Sequence, residues 1–227
     1  MTARQFTLQY LRARFVAGAV VALVSLTAST AQAHPHVWVT VTTSVLFAPD
    51  GMLTGVRHDW TFDDMYSAFA TTGIGGQGKD GFTREQLQPL AKVNVDSLKD
   101  YDFFTYARID GKRQPKDIFG DPVDYWLDYD AATAALTLHF TLPLRTPVAA
   151  KQLAIEVYDP EFFIDFGFAE DDPVRLVGAP AGCSISSSKP RDDNFLSVQK
   201  LNRSFIPPEA NVGMGMQFAN KIAVSCR

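Results

Sequence analysis

The chain has 227 residues, 46% hydrophobic and 20% charged, which is the composition of an ordinary globular protein and neither of a disordered nor of a collagen-like one. Its 21 basic and 25 acidic residues give a formal charge of −4. An acidic chain of this kind is a poor general nucleic-acid binder, because phosphate affinity rests on clustered Lys and Arg.

The first 33 residues read as a secretory leader. Arg4, Arg12 and Arg14 form a positive start, Phe15 to Leu26 is an apolar stretch, and Ala31-Gln32-Ala33 is a small-x-small cleavage site. Ala13 separates Arg12 from Arg14, which favours general secretion over a twin-arginine route. Cleavage leaves residues 34–227 as a single β-rich periplasmic domain and removes three arginines and no acid, so the formal charge drops to −7. No later stretch approaches the roughly 18 uninterrupted apolar residues of a spanning helix, so the mature chain is expected not to cross a membrane.

In the mature chain Val37, Val39, Val41, Val45 and Phe47 alternate with Trp38, Thr40, Thr42 and Ser44, the period-two pattern of a half-buried strand. Pro49-Asp50-Gly51 turns it, and Met52 to Phe62 returns with Val56, Trp60 and Phe62 at matching parity, which predicts a β-hairpin. Asp63 and Asp64 then stand where an acidic N-cap is favoured, ahead of a short helix carrying Met65, Ala68, Phe69 and Thr72. Five glycines between Gly73 and Gly81 break that helix. Thr83 and Gln86 form a capping box for a second one, which Pro89 should bend or delay.

From Phe103 onward strand-like runs follow one another at Phe103 to Ile109, Tyr125 to Tyr129, Ala135 to Leu142, Leu153 to Tyr158 and Val174 to Val177, without helices between them. Ser184 to Asn211 reads as a long polar excursion, and Met216 to Cys226 as a last strand. The expected fold class is α+β: a mainly antiparallel β-sheet with a two-helix insertion after an N-terminal β-hairpin. Cys183 and Cys226, an even count in a chain bound for an oxidising space, predict one disulfide. The competing reading, two thiols acting as metal ligands, would need further ligands nearby.

The chemistry concentrates at His34-Pro35-His36. Cleavage after Ala33 would make His34 the first residue, offering an α-amine and an imidazole to one metal, with His36 adding a second ring. Nitrogen donors of this borderline kind suit Cu, Ni and Zn, not Ca or Mg. A two-residue Asp50-Gly51 turn would put Asp63 opposite Trp38 and diagonal to His36, making Asp63 a third candidate ligand. The same register points His58 toward the apolar side, and a one-residue slip would reverse that, so His58 remains a further candidate. The plainer roles are a strand-start His36, a helix-capping Asp63 and core histidines at His58 and His139. Lys79 to Glu85 resembles half of a calcium loop, but Gly76 and Gly78 stand where acidic ligands belong. No nucleophile elbow, phosphate loop or paired metalloprotease histidines occur.

His34-Pro35-His36-Val37-Trp38-Val39, Trp60 to Ser67, Asp102-Phe103-Phe104-Thr105, Val157-Tyr158-Asp159-Pro160 and Pro180-Ala181-Gly182-Cys183 together resemble the bacterial family of unknown function DUF1007. That resemblance implies a periplasmic component of an ABC-type transport system, in the context of nickel, cobalt or zinc transport. Family members often carry a fuller acidic loop before the second helix, and this chain departs from that. The leading expectation is a non-enzymatic metal-binding accessory protein that exchanges Zn, Ni or Co with a membrane metal transporter. Two others stand beside it: a copper redox enzyme of the histidine-brace kind, needing His58 or His139 across from His34, and a non-metal adaptor docking on a transporter.

Overall fold

The alternating run that opens at Val37 forms β1 (Val37–Phe47), whose odd-numbered residues Val37, Val39, Val41, Thr43 and Val45 are buried. β2 (Leu53–Phe62) returns antiparallel to it, with Val45 facing Val56 and Val39 facing Phe62. This is the register expected from a two-residue turn, reached by a different route. The turn is wider, since Ala48 N–H donates to Met52 O at 2.9 Å, with Gly51 at φ 85°. A bulge between Leu46 and Phe47 then restores the pairing. The computed structural model describes residues 35–76, 78, 79, 81–189 and 214–227, so the expected leader, His34, Gln77, Asp80 and most of the expected polar excursion lie outside the described residues.

Two short helices follow the hairpin. Asp63 caps α1 (Asp64–Ala70), its Oδ1 accepting from Tyr66 N–H at 2.8 Å. The Ser67 hydroxyl, fully buried on α1, donates to Asp63 O at 2.7 Å and accepts from Leu136 N–H at 2.9 Å. Ser67→Ala would strand the buried Leu136 amide and is expected to lower stability by about 1–3 kcal/mol, read from urea unfolding; no measurable loss would mean that water replaces the hydroxyl.

α2 (Arg84–Leu98) starts at the Thr83–Gln86 capping box, so Pro89 does not delay it. Leu87, Ala91 and Val95, spaced by four, bury one face in the core. The chain then tightens into a 3-10 turn over Lys99–Phe104, where Asp102, Phe103 and Phe104 hold φ of 53°, 53° and 48°. Left-handed backbone costs an L-residue roughly 1–2 kcal/mol, and burial of both phenylalanines holds it there.

The remaining strands are β3 (Thr105–Ile109), β4 (Lys112–Arg113), β5 (Val123–Asp130), β6 (Ala135–Val148), β7 (Gln152–Val157), β8 (Ile164–Phe168), β9 (Val174–Val177), β10 (Ser184–Ser188) and β11 (Asn220–Ser225). They build two sheets, β5-β6-β2-β1-β8 with β9 also on β1, and β10-β11-β7-β3-β4. Inward residues of both sheets and of α2 form one buried cluster around Trp60, Phe140, Ile155 and Ile222.

This arrangement corrects the α+β expectation. The described chain is mostly β, divided between two sheets, with two helices. β1 is not purely antiparallel, because β8 and β9 pair with it in parallel. Parallel neighbours need a long crossover, so nothing local in the sequence announces them. The strand expected from Phe103 begins at Thr105, the last strand is shorter and preceded by a 3-10 turn at Met214–Phe218, and Ser184–Ser188 pairs with β11 where an excursion was expected. Cys183 and Cys226 form a disulfide beside that pair.

Candidate functional site

The start of β1 is tied down from two sides. His36 N–H donates to Phe163 O at 2.9 Å, and its exposed ring lies 4.7 Å from the Phe163 ring. One same-face position further on, Trp38 N–H donates to Asp63 Oδ2 at 2.8 Å, while Asp63 N–H donates to Trp38 O at 3.0 Å. Each Asp63 carboxylate oxygen therefore holds one backbone amide, from Trp38 and from Tyr66. The hairpin brings Asp63 to Trp38, one same-face step from His36, on the outer side of the first sheet. His34 lies outside the described residues.

His58 is elsewhere. It is fully buried on the inner side of β2, with Trp60 at 5.6 Å and Phe140 at 5.3 Å. The Thr105 hydroxyl donates to Phe103 O at 2.8 Å, so it must accept from His58 Nε2–H at 3.2 Å. That leaves Nδ1 to accept from the Thr43 hydroxyl at 2.9 Å. The imidazole is thus neutral and pins β1 and β2 of the first sheet to β3 of the second. Burial pushes its pKa down to about 3, against a smaller upward pull from Asp59. With both nitrogens used inside the core, His58 is not brought to His36.

His139 has richer surroundings than a lone strand histidine suggests. Its Nδ1 lies 2.6 Å from Asp59 Oδ1 and its Nε2 3.4 Å from Asp128 Oδ2. The Trp126 ring stacks on the imidazole at 4.6 Å, 13° from parallel, and Arg57 and Arg84 approach the same indole at 4.8 and 5.0 Å. Arg84, from the first turn of α2, grips Asp128 through two nitrogens at 2.6 and 2.9 Å, and Trp126 Nε1–H donates to the same carboxylate at 3.0 Å. Burial works to raise both carboxyls. The His139 bond with the Arg57 and Arg175 charges outweighs it at Asp59, and the Arg84 and Trp126 bonds outweigh it at Asp128, so both lie below the ordinary range. The carboxylates, cations and rings are paired with one another, so the ladder braces edge strand β5 and α2 against the sheet. Half of it was readable: a four-residue turn after Asp130 sets Trp126 opposite His139. The pairing of Asp59 with His139 joins strands far apart in the chain, and no local signal carries it.

Among the described residues no group of three or more His, Cys, Asp or Glu side chains is arranged to hold a metal. The copper reading asked for a second imidazole across from His34. His58 faces the core, and both His139 nitrogens face carboxylates. The calcium-like loop serves the helix cap instead, as Gln86 Nε2 donates to Gly75 O and Gly76 O at 3.1 and 3.0 Å. Asp159 accepts from the amides of Glu161, Phe163 and Ile164, each at 2.9 Å, and so shapes the turn that receives His36.

A family model described as "Protein of unknown function (DUF1007)" matches residues 19–226, nearly the whole chain. The chain belongs to that family. An "Uncharacterized 15.5 kDa protein in trpE 3'region" of Spirochaeta aurantia is 34% identical over 110 residues, covering 48% of this chain and 74% of that relative. In this DUF1007 chain the disulfide is consistent with an oxidising space outside the cytoplasm. Among the described residues no helix is long and apolar enough to cross a membrane.

Proposed function

We propose that the mature protein is a periplasmic metal-binding accessory protein that takes up Zn, Ni or Co at its processed amino terminus and exchanges it with a membrane metal transporter. The observation that carries this reading is the anchoring of His36. Its backbone is bonded to Phe163 two residues beyond the expected cut, on the sheet side where Asp63 caps α1. A terminal His34 would then stand two residues ahead of His36 in the chain, offering an α-amine and a ring close in sequence to the His36 imidazole. Asp63 spends one lone pair of each oxygen on an amide and keeps the others for a cation. This donor chemistry fits a borderline divalent metal held as cargo, and the disulfide fits the compartment.

Calorimetry near neutral pH with each metal alone tests the reading. Protein beginning at a native His34 is expected to bind one ion. A version with two residues added before His34 should bind about tenfold more weakly or worse, since displacing one donor costs on the order of 1.4 kcal/mol or more. Absence of binding by the native-start protein to any of the three metals would overturn the proposal.

A further inference from the structure

The outer face of the second sheet is used by none of the groups above. Along one row across the strands, Arg113 on β4 faces Arg108 on β3, Arg108 faces Ala154 on β7, Ala154 faces Ala223 on β11, and Ala223 faces Ser186 on β10. At about 4.8 Å per strand step the row runs roughly 14 Å from Arg108 to Ser186. The neighbouring row on one side carries Tyr106, Glu156 and Lys221, and the row on the other carries Gln152 and Ser225. Methyl groups between longer side chains leave a hollow of about 350 Å3, with Arg108 at one end, Ala154 and Ala223 in its floor and Ser184 and Ser186 at the far end.

The charge pattern is a second and independent observation. Like charges directly opposite each other on paired strands repel, yet Arg108 and Arg113 are cross-strand partners. Among the described residues neither forms an ion pair. Of the carboxylates at this face, Glu156 has Lys221 at 4.0 Å, and Asp110 accepts from the Lys151 and Gln152 amides at 3.0 and 2.9 Å. Arg113 is turned toward the Tyr106 ring, at 5.9 Å, and the Tyr158 hydroxyl. Arg108, whose charge also reaches Tyr158, is therefore a cation lining the hollow with no ion pair among the described residues, and an anion there would relieve the repulsion.

We propose that this hollow binds a small monocarboxylate with an unbranched apolar tail. The planar guanidinium of Arg108 would grip the carboxylate through two parallel N–H bonds, and the tail would lie along the methyls of Ala154 and Ala223. A single fork suits a two-oxygen carboxylate better than the more highly charged phosphate, because among the described residues no second cation lines the hollow beside Arg108. The inference does not rest on the metal reading, because the residues belong to the other sheet.

Titration of the isotope-labelled mature protein with hexanoate, acetate and inorganic phosphate, followed by amide NMR, tests it. Hexanoate is expected to shift the amides of Arg108, Ala154, Ala223 and Ser186 and to bind at least fivefold more tightly than acetate, with phosphate weaker than hexanoate. Arg108→Gln should abolish the hexanoate shifts while the spectrum stays folded. Ala154→Leu, which fills the floor, should weaken hexanoate at least fivefold and leave acetate unchanged. The proposal is overturned by no shift at these amides, by phosphate equalling hexanoate, or by hexanoate shifts that survive in both variants.

Discussion

Acidification is expected to destabilise the protein through His58 before Asp59 and Asp128 lose their contributions. The unfolded chain takes up a proton on this residue below about pH 6.5, whereas the folded protein refuses it until about pH 3 because the ring is buried with both nitrogens committed. Between those values the unfolded state binds more protons, so stability is fully present above pH 6.5 and is lost as pH falls. The slope is about 1.4 kcal/mol per pH unit, and the whole window is worth roughly 5 kcal/mol. Asp59 and Asp128 are depressed carboxyls, so their contributions disappear only below the ordinary carboxylate range. Over the interval from pH 4.5 to 6.5, the difference between native protein and a His58→Gln variant isolates this histidine. Urea midpoints across that interval should fall steadily for the native protein and stay nearly flat for His58→Gln, at lower overall stability. Equal slopes for the two would show that His58 does not hold its neutral form.

Breaking the Cys183–Cys226 bond is expected to have a comparable effect. The two residues are 43 apart in sequence, and they flank the β10–β11 pair at the edge of the second sheet. On the chain-entropy account, closing a loop of this length stabilises by about 4 kcal/mol. Cys183→Ser with Cys226→Ser should lower the urea midpoint accordingly, and a reductant should bring native protein to the same value. If the double variant unfolded where the oxidised native protein does, the bond would contribute nothing to stability.

The hairpin was legible because its two strands share one face and lie next to each other in the chain. Val45 against Val56 and Val39 against Phe62 follow from parity alone, even though the turn itself is wider than expected. The helix caps at Asp63 and Thr83 were legible for the same local reason, each being a side chain bonded within three residues. The sheet partition was not. Ile164–Phe168 is only five residues long and is not among the expected strands, and its strand identity comes from β1. Ser184–Ser188 reads as a polar linker until β11 pairs with it. The candidate site divides likewise. The parity that turned His58 inward was readable, whereas its bond to Thr105 needed the left-handed turn at Asp102 to Phe104, which no propensity favours. His139 read as structural, and its two carboxylate neighbours came from strands whose order only the fold sets.

The placing of β1 between β2 on one flank and β8 and β9 on the other has a consequence for biogenesis. A chain exported unfolded enters the periplasm amino end first, so its opening hairpin can zip up early while the far flank of Val37–Phe47 waits for Ile164 onward to cross. Throughout that delay an apolar ribbon with open amides and carbonyls is a template for any other extended chain. Periplasmic holdases should therefore engage export-stalled fragments ending before Ile164 more strongly than fragments that include Val177.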